Sequence, residues 1–190
     1  MIEKLISISH GTARRLAWFG GTLLIAASVL VTIDVICRKL FNISLGGADE
    51  FTGYCFAVAT SLSLSFALFE RVHIRIDALY GFAGPRLRAA ADLFGLALLT
   101  GFTALVAMMA WDLVADTLEY NSRSITPLKV PLAIPQIPWL IGWLFAVFSG
   151  VLLLIGAIAR LRRDGSEASS RLIGIKSTRE TIEDEAGIRT

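Results

Sequence analysis

The side chains from which chemistry would first be expected in this 190-residue chain are four aspartates that interrupt or border long apolar runs. An acid inside a membrane span is the usual mark of an ion or proton route, because an ionised group is costly in hydrocarbon. Asp34 is the fairest candidate. Arg38 follows four residues later, so the two share a helix face and can pair as a structural unit. Asp92 lies one turn into a later run, and Asp112 and Asp116 share a face near its far end, so all three read as interfacial. No acid falls confidently at the middle of a run. His10 and His73 lie outside the runs, where they cannot supply axial ligands to a haem held within the membrane. Cys37 and Cys55 stand near the ends of two runs and read as free thiols; a bridge would need a geometry that spacing cannot supply. The chain has no Gly-rich phosphate loop, no paired-cysteine motif and no His-Glu-x-x-His. It is therefore expected not to be an enzyme, and to hold no cofactor and no metal.

The elements that would position these groups are membrane helices. Apolar residues make up 55% of the chain and charged residues 18%, and the mean hydropathy is +0.66. That is too much apolar surface for one small soluble core. The net charge of +2 gives no reason to expect a nucleic-acid partner. The apolar residues cluster at 16–37, 51–69, 89–114 and 139–159. A helix of about 20 residues crosses a hydrocarbon core of about 30 Å, so each run is long enough to span. None alternates with a period of two, which argues against strands. The fold class expected is all-α, an integral membrane four-helix bundle over 16–163. Residues 1–15 form a cytoplasmic N-terminal segment, and the polar tail 164–190 is expected to lack stable structure.

Lys and Arg concentrate at both termini and in the second connection, so both termini should face the cytoplasm, with the first and third connections outside. In the first connection Gly46-Gly47 turns the chain, and Asp49-Glu50 opens the second helix, where acids suit the positive end of the dipole. The second connection mixes charge with apolar residues. It is either a short amphipathic helix on the membrane surface or an irregular amphipathic loop. The third carries Pro127, Pro131, Pro135 and Pro138, a spacing that predicts no regular helix there, yet its intervening residues are apolar. Such a segment should lie against protein or the interface and suits docking. Two ridges of small residues recur every four positions, Gly53, Ala57, Ser61 and Ser65 in the second helix and Gly142, Ala146 and Gly150 in the fourth. Ridges of this kind let helix backbones approach in lipid, within the chain or against another subunit.

From about Arg14 to Arg163 the chain resembles the small membrane subunit of tripartite ATP-independent periplasmic (TRAP) transporters. The elements that carry the resemblance are an arginine closing the first helix, Arg38; the acidic pair Asp49-Glu50; and His73-Ile74-Arg75-Ile76-Asp77 after the second helix. Pro85 before the third helix, Thr126-Pro127-Leu128 and Val130-Pro131 in the outer connection, and Pro138 with Gly142 at the last helix complete them. The chain departs from the family where Gly46-Gly47-Ala48 precede the acidic pair, since many members carry an aromatic residue there. The resemblance implies a non-catalytic subunit in the bacterial inner membrane, scaffolding a large multi-span permease that holds the substrate and sodium sites. It also implies a periplasmic binding protein, in direct contact or not, that delivers carboxylate-type solutes. Within that frame Arg38 and Glu50 are expected to pair across the first connection. His73 and Asp77 would bond each other or meet lipid headgroups. The competing reading is an autonomous four-helix carrier or channel acting as a homo-oligomer, and it would rest on Asp34.

Overall fold

The structure, a computed structural model, describes residues 2–44, 46–71, 84–126 and 128–174. Four long helices carry the four apolar runs: α1 (Ile2–Phe41), α2 (Ala48–Glu70), α3 (Pro85–Glu119) and α4 (Ala133–Asp164). A short helix, α5 (Ser166–Ile173), follows. All four long helices are long and apolar enough to cross a membrane. The second connection, with the surface-helix expectation and with His73 and Asp77, lies outside the described residues, as do Pro127 and residues 175–190.

Three boundaries differ from expectation. Residues 2–15 do not form a separate segment; they continue α1, which at 40 residues is about 60 Å long. The buried positions Ser9, Ala13, Gly20, Ala27 and Asp34 make one seam, mostly at intervals of seven, and it runs on through the charged N-terminal part. The prolines near 135 also fail to prevent a helix. Pro135 is the third residue of α4, where a backbone N–H has no helical partner anyway, and Pro138 lies just inside. The Gln136 N–H still reaches the Leu132 carbonyl at 3.2 Å, so the first turn closes around them. Finally, the tail is not wholly without structure. α5 folds back on α3 and α4, burying Ile173 in a cluster with Leu68, Leu96, Leu153 and Ala157.

The spanning helices lie as a row in the order α1, α2, α4, α3, and the N-terminal turns of α1 also touch α4. Burial along this row is inverted relative to a water-soluble bundle. The seam of α3 is Ala89, Asp92, Leu96, Thr100, Thr103, Ala107, Ala110, Val114 and Thr117, at spacings of three or four. Its outward face is Phe94, Leu98, Phe102, Leu105, Met108 and Met109. In water an apolar face this large would drive association; in lipid it is the solvated surface, and small side chains in the seams let helices pack.

Candidate functional site: the connected loop end and the helix seams

The first and third connections meet at one end of the row and are fastened by two polar clusters. On α1, Asp34 is only 2% exposed and pairs with the Arg38 guanidinium one turn on. Ser44 Oγ, 3.4 Å from Asp34 Oδ1, accepts from the Gly46 N–H at 3.3 Å, which draws the first connection over the end of α1. The expected Arg38–Glu50 pair is not formed. Arg38 already has Asp34, while Glu50 accepts from the hydroxyls of Tyr54, on its own helix, and Thr126, in the third connection. Thr126 in turn is held by Ser124, with hydroxyls 2.8 Å apart and the Thr126 N–H donating to Ser124 Oγ at 3.1 Å. Glu50 therefore ties the third connection to α2. Gly47 backs onto Leu128 so closely that a Cβ there would stand 2.1 Å from Leu128 Cδ1. Asp49 is exposed beside this junction.

Of the two ridges of small residues, Ser61 and Gly142 meet inside the chain. A Cβ on Gly142 would lie 2.7 Å from the backbone carbonyl carbon of Ser61, so α4 rides directly on the backbone of α2. Ala146 is fully buried in the same seam, and Gly150 faces Thr100 of α3. Ala57 is half-buried, and Gly53 is open, with no atom of a neighbouring element within 4 Å of an added Cβ. Three buried hydroxyls in these seams bond their own helices: Ser61 donates to the Val58 carbonyl, Thr100 to Leu96 and Thr103 to Thr100; Ser65 Oγ and Ser149 Oγ, equally buried, have no partner among the described residues. Cys37 and Cys55 are free thiols. Among the described residues no three His, Cys, Asp or Glu side chains converge to hold a metal ion.

Sequence reasoning missed the contacts at the opposite end. His10 bonds Glu70 at 2.9 Å and lies against the rings of Phe66 and Phe69. Arg160 meets Glu3 at 3.2 Å, and Gly156 gives room to Ile6 and Leu172. Gly20, closing on the Ala59 backbone, was also missed, although the seven-residue repeat of small residues in α1 was there to find.

A family model described as tripartite ATP-independent periplasmic transporters, DctQ component, matches residues 27–164. The chain belongs to this family. The match runs from within α1 to the end of α4, so the DctQ region takes in both polar clusters, the contacts of α4 with α2 and α3, and the part of the α1 seam from Ala27 onward. One relative, the C4-dicarboxylate TRAP transporter small permease protein DctQ of Vibrio cholerae serotype O1 (strain ATCC 39315 / El Tor Inaba N16961), is 32% identical over 87 residues. That alignment takes in 46% of this chain and 38% of the relative. No solved structure matches. As a DctQ component with four spanning helices, the chain is a multi-pass protein of the inner membrane and a subunit of a TRAP transporter.

Proposed function

We propose that this chain is the non-catalytic small subunit of a sodium-coupled, binding-protein-dependent secondary transporter for carboxylate-type solutes, and that it scaffolds the large permease subunit. One observation carries the reading: the helices pack through seams of small and polar residues such as Ala13, Gly20, Ser61, Thr100, Gly142 and Gly150, while many large apolar side chains face outward. That is a body made to be surrounded by lipid and a companion. The family supports a partner of the permease type, and the Vibrio relative's name supports a carboxylate cargo.

In this reading both termini are cytoplasmic, as the Lys and Arg distribution argues, and the joined first and third connections face the periplasm. Exposed Ile125 and Leu128 then offer an apolar surface to the binding protein, with Asp49 and Gly53 beside it for the permease. His73 and Asp77 would meet lipid headgroups on the other side. Asp34, the residue on which an autonomous carrier would depend, is committed to Arg38. The test is recovery of the tagged chain from its native membrane in mild detergent. Co-purification of a much larger multi-span protein is expected; recovery of the chain alone or as a homo-oligomer counts against the proposal.

A further inference from the structure

We infer that Arg86 of α3 and Arg162 of α4 hold the phosphate of an anionic glycerophospholipid, with one acyl chain lying in the trough between these two helices. The site requires only that α3 and α4 span the membrane, so its test stands apart from that of the transport reading. The two helices run antiparallel, and Thr100 stands opposite Gly150. Arg86 lies 14 residues from Thr100 and Arg162 lies 12 residues from Gly150, so the two are level to within about 3 Å at 1.5 Å per residue. Each stands three residues outside its apolar run, 89–114 or 139–159. That is about 4.5 Å beyond the hydrocarbon edge, the depth of lipid headgroups.

At about 100° per residue, both side chains leave the same side of the helix pair, turned from the line of contact by about 40° on α3 and about 120° on α4. Gly142, which meets Ser61 of α2, is turned by about 80° the other way, so α2 and the α5 cluster occupy the opposite side. Both arginines are exposed, and among the described residues neither has an acidic partner, whereas nearby Arg160 is taken by Glu3. The start of α3 is also short of negative charge. Its first turn holds no acid, its N-cap Gly84 supplies no side-chain bond, and Arg86 and Arg88 sit there against the sign that the helix dipole favours. A phosphate between Arg86 and Arg162 reverses that sign and accepts hydrogen bonds from both guanidinium groups.

The same side provides the place for an acyl chain. By the same turn per residue, Ala90, Ala97 and Gly101 of α3 make a shallow floor, with Phe94 of α3 and Val151 and Ile158 of α4 as its walls. All six are exposed, and a Cβ on Gly101 would meet nothing within 4 Å, so no element of this chain covers the trough there. From Arg86 to Gly101 is 15 residues, about 22 Å, which exceeds the roughly 15 Å of hydrocarbon in one leaflet. Charge complementarity names the occupant. An apolar helix laid in the trough would leave two cations without counter-charge at its end, whereas an anionic lipid brings a phosphate to the depth at which they stand.

The test is native mass spectrometry of the full chain in mild detergent, titrated with dioleoylphosphatidylglycerol or with dioleoylphosphatidylcholine. The phosphatidylglycerol adduct is expected at the lower lipid concentration. Arg86→Gln/Arg162→Gln should weaken that adduct about 30-fold, and either single change about fivefold. Arg14→Gln/Arg15→Gln removes the same charge from exposed positions of α1 and should leave the affinity unchanged. Ala97→Phe fills the trough without altering charge and should weaken binding, and glycerol 3-phosphate, a headgroup without chains, should not compete. Should the glutamine pair fail to fold, Ala97→Phe and Arg86→Lys/Arg162→Lys, the latter expected to keep the lipid preference, still decide. Equal binding of the two lipids, equal loss from the α1 and the α3–α4 variants, or an unaffected Ala97→Phe overturns the inference. Full competition by glycerol 3-phosphate would give the arginines to a soluble phosphate, and loss of the phosphatidylglycerol preference in the complex with the large permease would give the trough to that partner; either overturns it.

Discussion

Gly142→Ala tests whether the α2–α4 seam holds the subunit together. The added Cβ would stand 2.4 Å from Ser61 Oγ, 2.8 Å from Ser61 Cβ and 2.7 Å from its backbone carbonyl carbon. The hydroxyl can rotate away, but the backbone carbon cannot, so the two helices must separate by several tenths of an ångström along the contact. Overpacking of this kind costs about 1–3 kcal/mol. Glycine to alanine also favours the helical state by about 1 kcal/mol, which would mask part of the cost. Gly53→Ala supplies the correction, since its Cβ meets nothing within 4 Å and carries the propensity gain alone. The difference between the two variants therefore isolates the overlap. SDS-titrated unfolding in mixed micelles, followed by circular dichroism, should place Gly142→Ala about 1–3 kcal/mol below Gly53→Ala. Adding Ser61→Gly removes two of the three overlaps and should restore part of the loss. Equal stability of the two alanine variants would refute the seam.

Other outcomes follow from the two ends of the row. Asp34→Ala leaves Arg38 without its partner and frees Ser44; because the arginine is about half exposed, the loss should be about 1–2 kcal/mol rather than the 3–5 of a fully buried pair, measured by the same titration. Thr126→Val removes one hydroxyl from Glu50 while keeping the side-chain volume, and faster amide exchange across residues 120–132, with unchanged membrane insertion, should report it. Ile173→Asp puts a charge into the cluster formed with Leu68, Leu96 and Leu153, so α5 should undock and the chain after Asp164 should become readily cleaved, with the four spanning helices intact.

The spans were legible because lipid imposes a simple rule: about 20 apolar residues in an unbroken helix, and the runs at 16–37, 51–69, 89–114 and 139–159 each lie inside one. The ridges were legible for a related reason, since Ser61 and Gly142 are small where backbones must touch. What the residues did not disclose depends on which helix faces which. The neighbour order α1, α2, α4, α3 is a choice among partners of similar composition. The extension of α1 through residues 2–15 depends on α4, whose Gly156 admits Ile6, and on Glu70, which meets His10. Glu50 illustrates the same point: proximity in the chain suggested Arg38, but the third connection brings Thr126, 76 residues away, to its carboxylate. Prolines 135 and 138 read as helix breakers until the start of α4 is placed at Ala133, which puts Pro135 in the free first turn.

The measurement closest to the central claim is solute uptake into proteoliposomes driven by a sodium gradient, with the binding protein present, comparing this chain alone, the large permease alone and the two together. Uptake only when both membrane subunits are present is the expected result. Uptake by this chain alone, or undiminished uptake by the permease without it, would contradict the account.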